Sequence, residues 1–174
     1  MNVSLELIKQ LREATSRGVA DCRNALEEAK GNVDKAKDIL RQKGLEIAAQ
    51  KSDRVAKAGR VAAYIHHDSK TGVLVEINSE TDFVARNEEF MRFCSDVALQ
   101  IAAMKPKYIK REDIPGEIAK ENVDLNSFLK ETCLLEQPFV KNPSITIKDY
   151  LDSIVAKLGE NIVVRRFTRF QIGE

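Results

Sequence analysis

The feature that most constrains the fold is a pair of alternating apolar runs separated by a turn. Asp-Ser-Lys-Thr-Gly at positions 68–72 is rich in residue types that favour tight turns. Alternating side chains point to opposite faces of a strand, so each run predicts a strand with one apolar face. Together they predict a β-hairpin. The in-phase apolar residues are Val61, Ala63 and Ile65 before the turn and Val73, Val75 and Ile77 after it.

Residues 5–44 have the apolar spacing of three short helices. Asn32 is of a type that caps helix N-termini, and Gly44 is of the type that follows helix ends, so the third helix is expected between them. A helical module this small is more typical of binding than of catalysis. Residues 46–58, rich in Ala and Lys without a strong apolar stripe, predict a helical linker.

A long helix is expected after the hairpin. Asn87 is of a type that can cap it, two glutamates follow in its first turn, and Pro106 ends it. Residues 107–145 are expected to be irregular, apart from a short helix around Phe128 and Leu129.

Capping signals predict one more helix before a terminal strand. Thr146 and Asp149 have the spacing of a capping box, and Gly159 closes the helix that they open. A strand is expected over 162–172, with a bulge or kink around Arg165 where the alternation changes phase.

These elements predict an α+β fold in which an N-terminal three-helix module precedes an antiparallel sheet with helices on one face. The expected domains are a helical module over 1–45, a helical linker over 46–58 and an α+β core over 59–174.

Composition argues against several functional classes. The chain has 43% hydrophobic residues, which support a core, and a net charge of +1, which lacks the basic excess of a general nucleic-acid binder. No apolar run approaches membrane-spanning length, and no signal peptide is recognised. The cysteines Cys22, Cys94 and Cys133 are widely spaced, so a reducing cytoplasm is expected and a zinc or redox motif is not.

Enzyme signatures are also missing from the sequence. There is no phosphate loop and no dinucleotide-binding glycine motif. His66 and His67 are the two histidines, and as neighbours on a strand they are expected to face opposite sides. Catalysis, a metal site and a cofactor are therefore not expected.

Two polar segments remain as candidate sites. The basic stretch from Lys105 to Arg111 contains Tyr108 and could touch RNA phosphates, although a solvated loop is the more economical interpretation. The stretch around Asp82 and Phe83 lies between a strand and a helix. There Phe83 either anchors the helix start in the core while Asp82 caps a turn, or projects as an aromatic wedge towards a partner.

Several segments, in order along essentially the whole chain, resemble the elongation factor Ts family. The segment over 78–87, Asn-Ser-Glu-Thr-Asp-Phe-Val-Ala-Arg-Asn, closely resembles one family signature, and the run over 11–26 resembles another. Gly31-Asn32, Lys35-Ala36, 136–140 and 159–162 also look like family segments. Separated matches in the right order are more specific than any single motif.

The resemblance implies how the chain works. The helical module would be a ubiquitin-associated-like domain that docks on the GTPase domain of elongation factor Tu through Gly18, Val19, Ala20, Asp21 and Cys22. Thr81, Asp82, Phe83 and Val84 would act near the magnesium and phosphates of that GTPase and promote GDP release. Such a factor is no enzyme and uses no cofactor, metal, nucleic acid or membrane.

The sequence also departs from the common family pattern. Many members have two similar α+β subdomains and a protruding coiled coil, whereas this chain has room for one subdomain and shows no heptad run. It resembles the short form, in which two chains associate, so a homodimer through the α+β domain is expected. At the first signature, Arg17, Val19 and Ala20 stand where small residues or Met are common, which leaves the docking contact less defined.

Two other functions remain open at this point. A peptide-binding adaptor built on the ubiquitin-associated-like module would not need the segment from Thr81 to Val84. An RNA-binding accessory protein would use Lys105 to Arg111 and would bind in a strongly salt-dependent way.

Overall fold

The computed structural model describes residues 3–15, 17–121 and 124–174. Expectations that involve residues 1, 2 and 16 lie outside the described residues. Within them, N-terminal helices precede an antiparallel sheet with helices on one face, which confirms the predicted fold class.

The helical module consists of α1 (Leu5–Thr15), α2 (Val19–Glu28) and α3 (Val33–Lys51). The side chain of Asn32 caps α3 by accepting a hydrogen bond from the backbone N–H of Lys35 at 3.0 Å, as predicted. The three helices share a small apolar core whose buried residues are Ile8, Leu11, Cys22, Ala25, Leu26, Ala29, Ala36 and Leu40.

The predicted end of the third helix at Gly44 is wrong, because α3 continues to Lys51. Gly44 is buried in the helix, and a Cβ at this position would lie 3.3 Å from the Arg17 guanidinium. The glycine therefore provides room for a neighbouring side chain and does not end the helix. Ala48, beyond Gly44, packs on the core of the sheet domain. No helix end falls at 45, and the division into 1–45, 46–58 and 59–174 stays a prediction.

Beyond the module, the described residues form both strands and helices. Single 3-10 turns occur at Arg111–Asp113 and Leu134–Glu136. The elements are β1 (Ala58–Ile65), β2 (Thr71–Ser79), α4 (Asp82–Ala85), α5 (Glu88–Met104), α6 (Gly116–Glu121), α7 (Leu125–Thr132), β3 (Pro138–Phe139), β4 (Asn142–Thr146), α8 (Ile147–Leu158) and β5 (Val163–Gln171).

The predicted hairpin is confirmed as β1 and β2, and β5 pairs antiparallel with β2 on its other side. The phase change near the last strand is also confirmed. Glu76 pairs with Arg166 and Ile77 pairs with Val164, so Arg165 is an extra residue in β5. The inner face of the sheet carries buried Val and Ile side chains from β2 and packs on α5.

The helices predicted around the sheet are confirmed, with their caps. Asn87 accepts a hydrogen bond from the Glu89 backbone at the start of α5. Thr146 and Asp149 form the capping box of α8, and Gly159 ends it with a φ of 76°. The segment over 107–145 is more regular than expected, since it holds α6 and the small β3–β4 hairpin in addition to α7. These elements are too short for a clear apolar period, which explains why the sequence did not indicate them.

The three cysteines are free and buried. Burial raises the pKa of the Cys94 thiol to about 12. Burial and the negative charge of nearby carboxylates raise the pKa of the Cys133 thiol to about 11. Because the thiolate is the reactive form, these raised pKa values disfavour reaction of both thiols near neutral pH.

We therefore expect native protein to react with Ellman's reagent far more slowly than the unfolded chain. Denatured protein is the control and should release three equivalents, one for each cysteine. Prompt reaction of Cys94 or Cys133 in native conditions would contradict the packing described for these thiols.

Candidate functional site

The candidate site is the tip, defined here as residues Thr81, Asp82, Phe83 and Val84, where β2 passes into α4. The backbone turns at Thr81, whose hydroxyl caps α4 by accepting a hydrogen bond from the Val84 N–H at 3.4 Å. A cap is important here because one helical turn has little stability of its own.

Within the tip, exposure changes abruptly between Phe83 and Val84. Phe83 is 82% exposed, whereas Val84 and the following Ala85 are buried in the main core. The interpretation of Phe83 as a core anchor is therefore wrong, and Val84 is the anchor. An exposed phenylalanine forgoes about 2 kcal/mol of burial free energy, which a partner could recover by covering the ring.

Asp82 precedes Phe83 in sequence and is also exposed. Its carboxylate pairs with Arg86 one turn later at 3.0 Å, and both side chains are exposed. Exposed pairs of this kind contribute little stability, so either group can exchange its partner at low cost. Asp82 does not cap the turn, because Thr81 has that role.

The base of the tip is held by residues distant in sequence. Both oxygens of the Glu160 carboxylate bind Thr81, accepting from its backbone N–H at 3.0 Å and from its hydroxyl at 2.6 Å. The Glu80 carboxylate in turn accepts from the backbone N–H of Asn161 at 2.6 Å. Sequence reasoning gave these residues no role, although the segment over 159–162 was among those that resembled the family.

The second predicted contact segment, Gly18 to Cys22, opens α2 in the helical module. Gly18, Val19, Ala20 and Asp21 are exposed, with Val19 at 52%, so this helix start presents an accessible surface. Cys22 is fully buried in the core of the module and can support this surface but not contact a partner.

The basic segment from Lys105 to Arg111 is tied to the fold. Lys105 pairs with Glu174 at 3.2 Å. Tyr108, the aromatic residue that an RNA site would use for stacking, packs on a small apolar cluster with Leu129 and Cys133. These contacts favour a structural role for the segment.

The expected geometry of the histidine pair is wrong. His66 and His67 follow the end of β1, and their ring centroids lie 4.2 Å apart. The described residues contain no cluster of three or more His, Cys, Asp or Glu side chains that could hold a metal ion. Among the described helices, none combines the length and hydropathy needed to cross a membrane.

Comparison with known proteins agrees with this architecture. The family model described as elongation factor TS matches residues 2–125 and 122–174. An elongation factor Ts of Carboxydothermus hydrogenoformans is 49% identical over 99% of this chain and 90% of its own length. An elongation factor Ts of Caldanaerobacter subterraneus subsp. tengcongensis is 47% identical over 99% of this chain and 98% of its own length.

These findings place the chain among translation elongation factors. It belongs to the elongation factor Ts family, as the resemblance predicted. The alignments run over 195 residues, more than the 174 of this chain, so these relatives contain residues that it lacks. The two matches of the family model overlap at residues 122–125.

Proposed function

We propose that this chain is a guanine-nucleotide exchange factor that promotes GDP release from elongation factor Tu by disturbing its magnesium and phosphate site. The observation that carries the proposal is the exposed ring of Phe83 on a capped, anchored helical turn. An exposed apolar side chain on a backbone turn that is already capped and anchored is suited to insertion into a partner, because little ordering of the backbone remains to be done on binding.

The physical basis is linkage between two ligands of one GTPase. GDP is held largely by charge-assisted contacts and by Mg²⁺ that bridges its phosphates. An exchange factor that binds better to the distorted, magnesium-free GTPase weakens the binding of GDP. GDP weakens the binding of the exchange factor to the same extent. No covalent bond is made or broken, so the chain needs no catalytic residue and no cofactor and acts as a binding protein.

The two contact regions have different tasks in this proposal. Phe83 and Asp82 enter the nucleotide region, while Thr81 and Val84 hold them in place. The exposed start of α2, from Gly18 to Asp21, docks on the GTPase domain, and Cys22 supports it. The accessible tip favours this function over a peptide-binding adaptor, which would have no use for it. Buried free thiols suit a reducing cytoplasm, where we expect the chain to work.

Stopped-flow release of fluorescent GDP from elongation factor Tu tests the proposal. We expect the release rate to rise with the concentration of this chain and then to reach a plateau. The effect should weaken as free Mg²⁺ is raised, because the metal and the factor oppose each other. A release rate that stays at its spontaneous value at every concentration would contradict the proposal.

The outer face of the sheet supports the proposed homodimer. Helices cover the inner face, whereas exposed apolar side chains from all three strands share the outer face. A contiguous exposed apolar surface is typical of an interaction site. A second copy of the chain would cover it with an identical surface. These residues are Val61 and Ile65 on β1, Leu74 on β2 and Phe170 on β5, exposed between 47% and 69%.

Phe170→Glu is expected to convert the dimer to a monomer, because a buried carboxylate without a partner costs several kcal/mol at an interface. Sedimentation equilibrium or light scattering measures the change in mass. Val55→Glu is the matched control, since Val55 is also 69% exposed and lies off the sheet. A monomeric wild-type chain, or equal effects of both substitutions, would contradict a dimer through this face.

A further inference from the structure

The turn over 159–161 connects the tip to the end of α3. Asn161 is buried, and its side-chain amide donates to the backbone carbonyls of Ser52 at 3.1 Å and Arg54 at 2.7 Å. Lys51, the last residue of α3, donates to the carbonyl of Gly159 at 2.7 Å. The same turn therefore contacts the helix that leads from the module and, through Glu160, the base of the tip.

The contacts between the turn and the tip are reciprocal. Glu160 accepts two hydrogen bonds from Thr81, and Glu80 accepts one from the backbone of Asn161. In each case a carboxylate of one segment binds the backbone of the other. Hydrogen bonds to a charged acceptor are shorter and stronger than neutral ones. Arg54 lies 3.7 Å from Glu80 and offsets part of the negative charge.

The direction of Phe83 depends on these contacts. Its ring is 82% exposed, so packing on its own domain does little to fix it. Its position follows from α4, which has four residues and is capped by Thr81. The Thr81 hydroxyl donates to Glu160 and accepts from Val84, so Glu160 fixes the orientation of the cap itself.

We propose that Glu160 is a positioning residue for nucleotide exchange, which holds the Phe83 ring in its inserting direction by binding Thr81. This role rests on the proposed exchange function and acts through the ring, without contact between Glu160 and the nucleotide. Misplacement of a reacting group by about 1 Å can cost about 100-fold in rate, and we expect an inserting group to depend on its position in a similar way.

The first test uses fluorescence and needs no partner. The sequence contains no tryptophan, so Phe83→Trp places a single tryptophan at the tip. In that background, Glu160→Ala is expected to lower the fluorescence anisotropy, because the tip moves more freely. Glu160→Gln should restore most of it, since its amide oxygen accepts from the Thr81 N–H and its NH₂ group donates to the hydroxyl.

A matched control exists at α7. The Asp124 carboxylate accepts from the backbone N–H of Ser127 at 3.1 Å and from its hydroxyl at 2.7 Å, the same pair of bonds that Glu160 makes with Thr81. Asp124→Ala removes an equivalent pair of hydrogen bonds away from the tip and should leave the anisotropy unchanged. Equal anisotropy of the Phe83→Trp chain with and without Glu160→Ala would overturn the proposal.

The second test is GDP release from elongation factor Tu. Glu160→Ala should lower the release rate at saturating factor about tenfold, with a small change in the half-saturating concentration. Partial unfolding would have a different effect. With fewer active molecules, more total protein is needed for half-saturation, while the release rate at the plateau stays unchanged. Asp124→Ala should match wild type, and Glu160→Gln should stay within about threefold of it.

A double substitution separates positioning from an independent role. If Glu160 acts through the ring, Glu160→Ala should have little further effect in a Phe83→Ala chain. A full tenfold loss in that background, or a normal plateau for Glu160→Ala alone, would overturn the proposal while leaving the exchange function intact. A wild-type chain that does not stimulate release would overturn the exchange function, whatever the anisotropy shows.

Discussion

Phe83→Ala is expected to lower the second-order rate constant of stimulated GDP release about 30-fold, which corresponds to about 2 kcal/mol of lost interaction at a buried aromatic contact. The ring is exposed in the free chain, so its apolar surface is available to a partner. Stopped-flow release of fluorescent GDP from elongation factor Tu measures the constant.

The same substitution should leave the fold unchanged. An 82% exposed side chain contributes little to the core, so the free energy of unfolding should change by less than about 0.5 kcal/mol. Val140→Ala, which truncates an exposed apolar residue in the β3–β4 turn, is the control and should exchange GDP like wild type. Normal exchange by folded Phe83→Ala protein would show that the ring is not the inserting group.

Gly59→Ala should destabilise the chain by about 3 kcal/mol or more, the largest loss of stability expected here. Gly59 has a φ of 135°, which L side chains rarely adopt. An added Cβ would also overlap the Ile77 carbonyl oxygen and lie 2.6 Å from the Asn78 Cα. Either β1 separates from β2, or the strand that leads into the tip shifts. Urea unfolding followed by circular dichroism measures the loss.

Gly116→Ala is the control for this substitution. A Cβ at Gly116 meets no atom within 4 Å, and its φ is not in the left-handed range, so the free energy of unfolding should be equal or slightly higher. A Gly59→Ala chain as stable as wild type would show that the close approach between β1 and β2 is not required.

Much of the fold could be predicted from the sequence because its signals are local. Alternation indicated β1 and β2, Thr146 with Asp149 indicated the start of α8, and the phase change near Arg165 indicated the bulge in β5. Each signal depends on a few neighbouring residues whose backbone geometry is the same in most folds. The family resemblance added expectations for the whole chain, including its partner and its contact residues.

The remainder depends on contacts between distant residues. Gly44 looked like a helix end because its buried contact with Arg17 cannot be seen in the sequence. The two readings of Phe83 could not be separated, since exposure is set by how α4 packs on the sheet. Glu160 binds Thr81, which lies 79 residues earlier, and no spacing rule connects them.

The most direct test of exchange is the affinity of this chain for elongation factor Tu with and without bound GDP and Mg²⁺, measured by isothermal titration calorimetry. A ligand shifts an equilibrium only if it binds the two states with different affinity. We expect this chain to bind the nucleotide-free GTPase tightly and to bind the GDP·Mg²⁺ form at least about tenfold more weakly. When this chain is added first, the affinity of the GTPase for GDP should fall by the same ratio. Equal affinity for both forms would contradict the exchange mechanism, however exposed the tip.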